Sequence, residues 1–352
     1  MTFERVALFA TAVLLAGCLL VTVLLVLTRV LRDRAERRRL HVKSSVWGVV
    51  LVLGSGEDDE LDDAHAALLA ATPAQRKAVE SDAFALLPKL RGASRRHLSE
   101  VLQAWGALDK ARHSTTSRSA VRRCRGYYRL GVLGEPSRRD QILRGLSDRD
   151  FIARRTSMLA LGSFPDPEVV GPMVEATVDE PRLHGDFLAS IDRIGSVAAP
   201  ALREQLEIAI LAGEKDARRG QLAAEALGLV GAIEAVEALE IALAGATDEF
   251  RIACIKALGA IGMPGSIIAL GDAIDHPNPD VRRAAAQALG LIGAAHAVEL
   301  LASALEDDNV EVARAAANSL HRCGTPGRQA LRWSDAPVAL EARALGSLGA
   351  PA

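Results

Sequence analysis

Residues 278–293 read "NPDVRRAAAQALGLIG", and nearly the same phrase stands at 247–262, "TDEFRIACIKALGAIG", and at 309–324, "NVEVARAAANSLHRCG". The copies lie 31 residues apart. With the leucine of Ala-Leu-Gly as a marker, equivalents fall at Leu130, Leu161, Ile191, Leu227, Leu258, Leu289 and Leu320, spaced 31, 30, 36, 31, 31 and 31 residues. Such a period marks a repeated supersecondary unit. Gly134, Gly195, Gly231, Gly262, Gly293 and Gly324 stand four residues behind the marker, where a helix would stop and turn.

Beyond that glycine, apolar residues recur nine positions after the marker (Val170, Val236, Ile267, Val298), twelve after it (Met173, Leu239, Leu270, Leu301) and sixteen after it (Leu243, Ile274, Leu305). This spacing is one face of a second helix. Each unit is then a helical hairpin with two apolar stripes, too thin to bury them alone, so it stacks on its neighbours. Small residues on either side of the marker allow close approach, in keeping with 49% hydrophobic but only 3% aromatic residues. Arg123, Arg154, Arg251 and Arg282 recur seven positions before the marker, with Asp150, Asp248 and Asp280 nearby. Acids there cap helices and the arginines bridge units, a structural role rather than a binding one.

The phrase "DVRRAAAQALGLIG", Asp280 through Gly293, resembles the HEAT repeat in its short, lyase-type bacterial form. The likeness covers about 114–324 and is strongest over 214–324. It implies an all-α solenoid and says little about activity. The Ile191 unit departs from the pattern, with His184 in the arginine position, "SID" in place of "ALG", and 36 residues to the next marker, which predicts a longer or displaced second helix. Upstream, Thr72 as cap and Pro73 at the first helical position start a diverged hairpin over 64–113. Downstream, "PVALEARALGSLGAPA" reads as a truncated closing unit within 325–352.

The N-terminus is different. Residues 6–28, "VALFATAVLLAGCLLVTVLLVLT", carry no charge and as a helix would span about 34 Å against a hydrocarbon core of about 30 Å. One transmembrane helix within 1–28 is therefore expected, followed by a juxtamembrane segment and acidic linker over 29–63. The flanking cluster Arg29, Arg32, Arg34, Arg37, Arg38, Arg39 and Lys43 places the C-terminal bulk in the cytoplasm of a single-pass inner-membrane protein. Leu15-Ala16-Gly17-Cys18 also resembles a bacterial lipobox, which would instead lipidate Cys18. A second apolar run, 46–53, is too short to cross and reads as buried or interfacial.

Charge is segregated along the chain. Residues 89–139 hold thirteen Lys/Arg against three acids, whereas 140–352 hold nineteen against thirty. The basic block nominates Arg91, Arg95, Arg96, Arg118, Arg122, Arg125, Tyr127, Tyr128 and Arg129 as a partner or lipid surface, and the acidic array disfavours nucleic acid. HEAT-like hydroxylases bind a di-iron centre through His-Glu pairs, but none of the eight histidines here precedes a glutamate. HExxH, GxSxG and a phosphate-cradling Gly-rich loop are absent, and the four cysteines lack ligand spacing. No catalytic, cofactor or metal residue is expected.

The expected function is a membrane-tethered cytoplasmic scaffold that holds a protein partner, among which another membrane protein or membrane enzyme qualifies. One alternative is a lyase-like enzyme or small-ligand binder using the concave solenoid face, with Arg129, Tyr127, Tyr128 and His184 as candidates. Another is a module for anionic lipid headgroups.

Overall fold

The computed structural model describes residues 3–55, 58–245 and 247–348; within these, the side chains of 3–16, 18, 33, 35, 38, 39, 55, 58, 59 and 345–348 lie outside the description. The described residues form α-helices joined by short turns, many of them 3-10, with no strand among them. Contacts divide the chain after Lys110 into two units.

The first unit holds α1 (Phe3–Ser55), α2 (Asp58–Leu69), α3 (Pro73–Leu86) and α4 (Gly92–Ala104). α3 starts where the sequence places it: the Thr72 hydroxyl accepts from the Gln75 amide, the Gln75 side chain returns to the Thr72 amide, and Pro73 needs no partner. The run 46–53 is the last part of α1. Val46, Val50 and Leu53 recur at helical spacing and are buried with Leu61 and Leu68 of α2, Val79 and Phe84 of α3, and Leu98 and Leu102 of α4. The Trp105 indole donates to the Leu68 carbonyl at 3.2 Å.

The single-pass membrane placement requires correction. Among the described residues no helix is long and apolar enough to cross a membrane. α1 passes without a break from its apolar part into the basic stretch. The lipobox-like Leu15, Ala16 and Cys18 fall outside the described side chains, as do Arg38 and Arg39. The stretch 29–55, expected as juxtamembrane segment and linker, is the continuation of α1.

The division falls inside α5 (Ala107–Thr115). The second unit then runs as helical hairpins: α6 (Ala120–Leu133) with α7 (Arg139–Leu143), α8 (Phe151–Leu161) with α9 (Val170–Asp179), and α10 (His184–Ile194) with α11 (Ala199–Ala212). It continues with α12 (Ala217–Val230) and α13 (Val236–Gly245), α14 (Asp248–Ile261) and α15 (Ile267–Ile274), α16 (Pro279–Ile292) and α17 (Ala297–Ser303), α18 (Val310–Arg322) and α19 (Gly324–Trp333), and closes on α20 (Pro337–Leu348). First helices pack on first helices in series from α6 to α20. All seven markers are fully buried, as are Met173, Leu239, Leu270 and Leu301 of the second helices. This is a helical solenoid.

The glycine after the marker explains how the units meet. A Cβ built at Gly259 would lie 2.7 Å from both Cα and Cβ of Ala288, one at Gly228 2.7 Å from the Ala257 Cα, and one at Gly290 2.3 Å from the Ser319 Cβ. The partner is each time the small residue just before the next marker, so backbones touch where side chains are missing. Six glycines four residues behind the marker take φ between 64° and 76°, and Gly134, Gly231, Gly262 and Gly293 end their helices in the left-handed conformation. At Ile191 the motif lapses, since Asp192 stands where the glycine would, and α11 extends to 14 residues against 10 in α13 and 8 in α15.

Candidate protein-binding surfaces

The arginines seven positions before the marker are consumed at the joints. Arg123 donates through Nε and Nη2 to both oxygens of Asp148, each at 2.7 Å, and through Nη1 to the Ser117 and Arg118 carbonyls. Arg282 repeats the fork onto Asp307 at 2.7 and 2.8 Å, one unit on. Arg154 reaches Glu180 at 2.9 Å and the Asp148 carbonyl at 2.7 Å. Arg251 spans Asp248 and the His276 ring. Where the position holds no arginine, other chemistry fills it: Gly220 leaves room for the Phe250 ring, and the His184 Nε2 lies 2.6 Å from Glu225 Oε2.

Burial works to raise the Asp148 carboxyl, but the Arg123 guanidinium and the Asp150 amide hold it below the ordinary range. Asp307 is held down chiefly by Arg282. The Tyr127 hydroxyl donates to Asp148 at 3.3 Å, and its phenol is pushed up to about 12 by burial and by the charge of Asp148. Tyr127 is thus a joint residue, 5% exposed, and not part of an outer surface. The acids at helix starts also divide their roles. Asp150 caps α8 by accepting from the Ile152 and Ala153 amides, but the caps of α14 and α16 are Thr247 and Asn278, which leaves Asp248 and Asp280 for Arg251 and Arg283.

The other basic candidates fall into two groups, one in each unit. In the first, Arg29, Arg32, Arg34 and Arg37 are exposed along α1, and Lys43 instead pairs with Asp82 at 2.9 Å and covers the Trp47 ring at 4.9 Å. Arg91 and Arg96 are exposed, while Arg95 donates to the Leu87 carbonyl. In the second, Arg118, Arg122 and Arg125 are exposed beside Val121 and Tyr128, with Arg129 half-buried. Positions 122, 125 and 129 share one face of α6.

His184 belongs to a separate polar group. Glu225 also accepts from Gln221 Nε2 at 3.0 Å, and Arg218 donates to Gln221 at 2.8 Å. The structure brings His184 to Glu225 of α12 and brings Tyr127 to Asp148; the four residues considered for a small-molecule pocket are not assembled as one cluster. In the first unit the His65 and His97 rings stack at 4.8 Å, flanked by Glu100 and Asp62. Among the described residues no group of three or more His, Cys, Asp or Glu side chains is placed to hold a metal ion. The Cys254 thiol is buried, which raises its pKa and keeps it protonated.

One surface escaped the sequence reading. The second helices turn outward a mixture of acids and bare aliphatic side chains: Leu211 is 88% exposed, Ile268 81% and Ile241 57%. Glu204 and Glu207 share the face of Leu211 on α11, and Glu237 shares that of Ile241 on α13, with Glu234 exposed in the turn just before it. The α11–α13 groove, about 370 Å³, is lined by Leu211, Ile241, Glu207, Glu234 and Glu237 among others. The signal was present at fixed offsets of ten and fourteen from the marker, where Glu237, Ile268, Glu299, Ile241 and Asp272 stand.

Residues 236–321 and, overlapping them, 269–349 match the HEAT-repeat family, so the chain carries HEAT repeats in its C-terminal part. Among curated proteins none matches the sequence. Of solved structures, Kap121p bound to Nup53p is similar at 14% identity with a TM-score of 0.54, over 86% of this chain and 40% of that one. This likeness shows the fold alone. The complex of CpcE and CpcF of phycocyanin lyase from Nostoc sp. PCC7120 aligns at 20% identity over 68% of this chain and 94% of that chain, with a TM-score of 0.35. Human deoxyhypusine hydroxylase aligns at 19% over 81% and 97%, with a TM-score of 0.32.

Proposed function

We propose that this chain is a non-catalytic scaffold whose HEAT-repeat array holds a protein partner. One observation carries the reading: charged groups inside the array are used up joining units, as in Arg123–Asp148 and Arg282–Asp307, while the outward face of the second helices leaves Leu211, Ile241 and Ile268 uncovered. Uncovered aliphatic side chains beside charge suit a protein surface better than a small polar substrate. The HEAT-like Kap121p, whose structure holds Nup53p, supports the reading by analogy of fold.

A small-ligand reading would centre on His184 and Glu225, whose contact is the one histidine–carboxylate pair between first helices of adjoining units, α10 and α12, among the described residues. The two readings separate in one experiment. Tagged full-length chain is recovered from its own cells at about 150 mM salt, alongside a His184→Ala variant. A protein recovered in fixed ratio with both forms is the expected result. Absence of any protein in fixed ratio, or a small molecule seen by native mass spectrometry on the parent and lost from His184→Ala, would overturn the scaffold.

A further inference from the structure

We infer that the outward face of the second helices, centred on the α11–α13 groove, docks a basic amphipathic helix of a partner protein. The inference rests on the scaffold reading and deepens it by naming the surface and the chemistry of what it takes. α11 presents Glu204, Glu207 and Leu211 at i, i+3 and i+7, and α13 presents Glu237 and Ile241 at i and i+4, with Glu234 exposed in the 3-10 turn that leads into it. Exposed acids followed by an uncovered aliphatic side chain therefore recur along both sides of one groove. The groove has an aliphatic end and an acidic end.

Charge decides the occupant. Arg203 is the cation lining the groove, and it is already engaged with Glu207 at 3.4 Å. Among the described residues Glu234, Glu237 and Asp272 have no ion-pair partner, and further acids follow at Asp275 and Glu299. Together with the acidic excess of 140–352, this face repels nucleic acid and anionic lipid and attracts lysine and arginine. Beneath the aliphatic end, a dent of about 30 Å³ bordered by Ala209, Ile241 and Phe250 would admit the tip of a leucine or isoleucine. A helix with aliphatic side chains on one stripe and cations beside it meets both demands.

The probe is a labelled peptide of about 18 residues, five turns of leucine and lysine in amphipathic register, with a leucine–glutamate counterpart. Anisotropy is read with the full chain and two double variants, Glu207→Lys with Glu237→Lys, and Leu211→Ser with Ile241→Ser, each checked for parental dichroism and melting. The leucine–lysine peptide should bind, weaken as salt rises, and lose about tenfold or more in affinity with either variant. Glu311→Lys on the first-helix face should leave it unchanged.

Equal binding of the leucine–glutamate peptide, or loss confined to the charge variant, would overturn the docking groove in favour of unspecific attraction. Self-association abolished by the Leu211→Ser/Ile241→Ser pair would overturn it in favour of a second copy of this chain. A cellular partner retained in fixed ratio by both double variants would leave the scaffold standing and remove this face from it.

Discussion

A methyl group is already too much at Gly259. Its Cβ would lie 2.7 Å from Ala288, and the obstacle is backbone rather than a movable side chain. Gly259→Ala should therefore destabilise the fold by about 1–3 kcal/mol, read as a lower denaturant midpoint. Gly185, in the first turn of α10, has nothing within 4 Å, and Gly185→Ala should instead stabilise by roughly 0.4–1 kcal/mol through the unfolded chain. At the joints, Arg123→Met strands Asp148, whose side chain is 4% exposed, and should cost about 3–5 kcal/mol, most of it recovered when Asp148→Leu is added. Asp307 carries a pH signature. Its carboxyl is held below the ordinary 3.8, so its contribution is complete above that value and fades as pH falls through the lower folded value. The stability gap between the parent and Asp307→Asn should accordingly shrink on acidification from about pH 6 to about pH 2. The small residues around each marker were legible because steric exclusion leaves a residue-type signature. The acceptors of the arginines were not, because Asp148 and Asp307 lie some 25 residues away and only folding chooses among the nearby acids.

Between helices, the joint of α10 with α12 is the exception in the stack. Ser190-Ile191-Asp192 replaces Ala-Leu-Gly, so a backbone approach like that of Gly259 to Ala288 is unavailable between α10 and α12. Native-state hydrogen exchange should find amides of α10 and α11 opening at lower free energy than those of α14 and α16, and uniform protection across the array would contradict this. The lengthened α11 was legible in the interval of 36 residues, since an insertion between markers has to be absorbed by one element. α1 was not read correctly. Its apolar and basic stretches invite division at Arg29, but nothing in a run of arginines breaks a helix, and Val46, Val50 and Leu53 hold its far end in a packed core.

For the chain as a whole, regular spacing makes units exchangeable. Removing residues 263–293 joins Gly262 to Ala294 in the same register and deletes one complete period. The shortened chain should keep its helical dichroism per residue and melt at a lower temperature, whereas a deletion of half that length should abolish cooperative unfolding. Which outward faces stay uncovered was hidden from the sequence, because an exposed Leu211 and a buried Leu206 look alike until neighbouring helices are in place.

The contacts of Gly228 with Ala257, Gly259 with Ala288 and Gly290 with Ser319 are made by atoms that have no rotamers to adjust. The step from one hairpin to the next is consequently a fixed gauge rather than a compliant spring. A guest that touches two successive hairpins has to carry its own anchor points at that same interval, and one with the right side chains at the wrong pitch would grip a single rung and slip from the next.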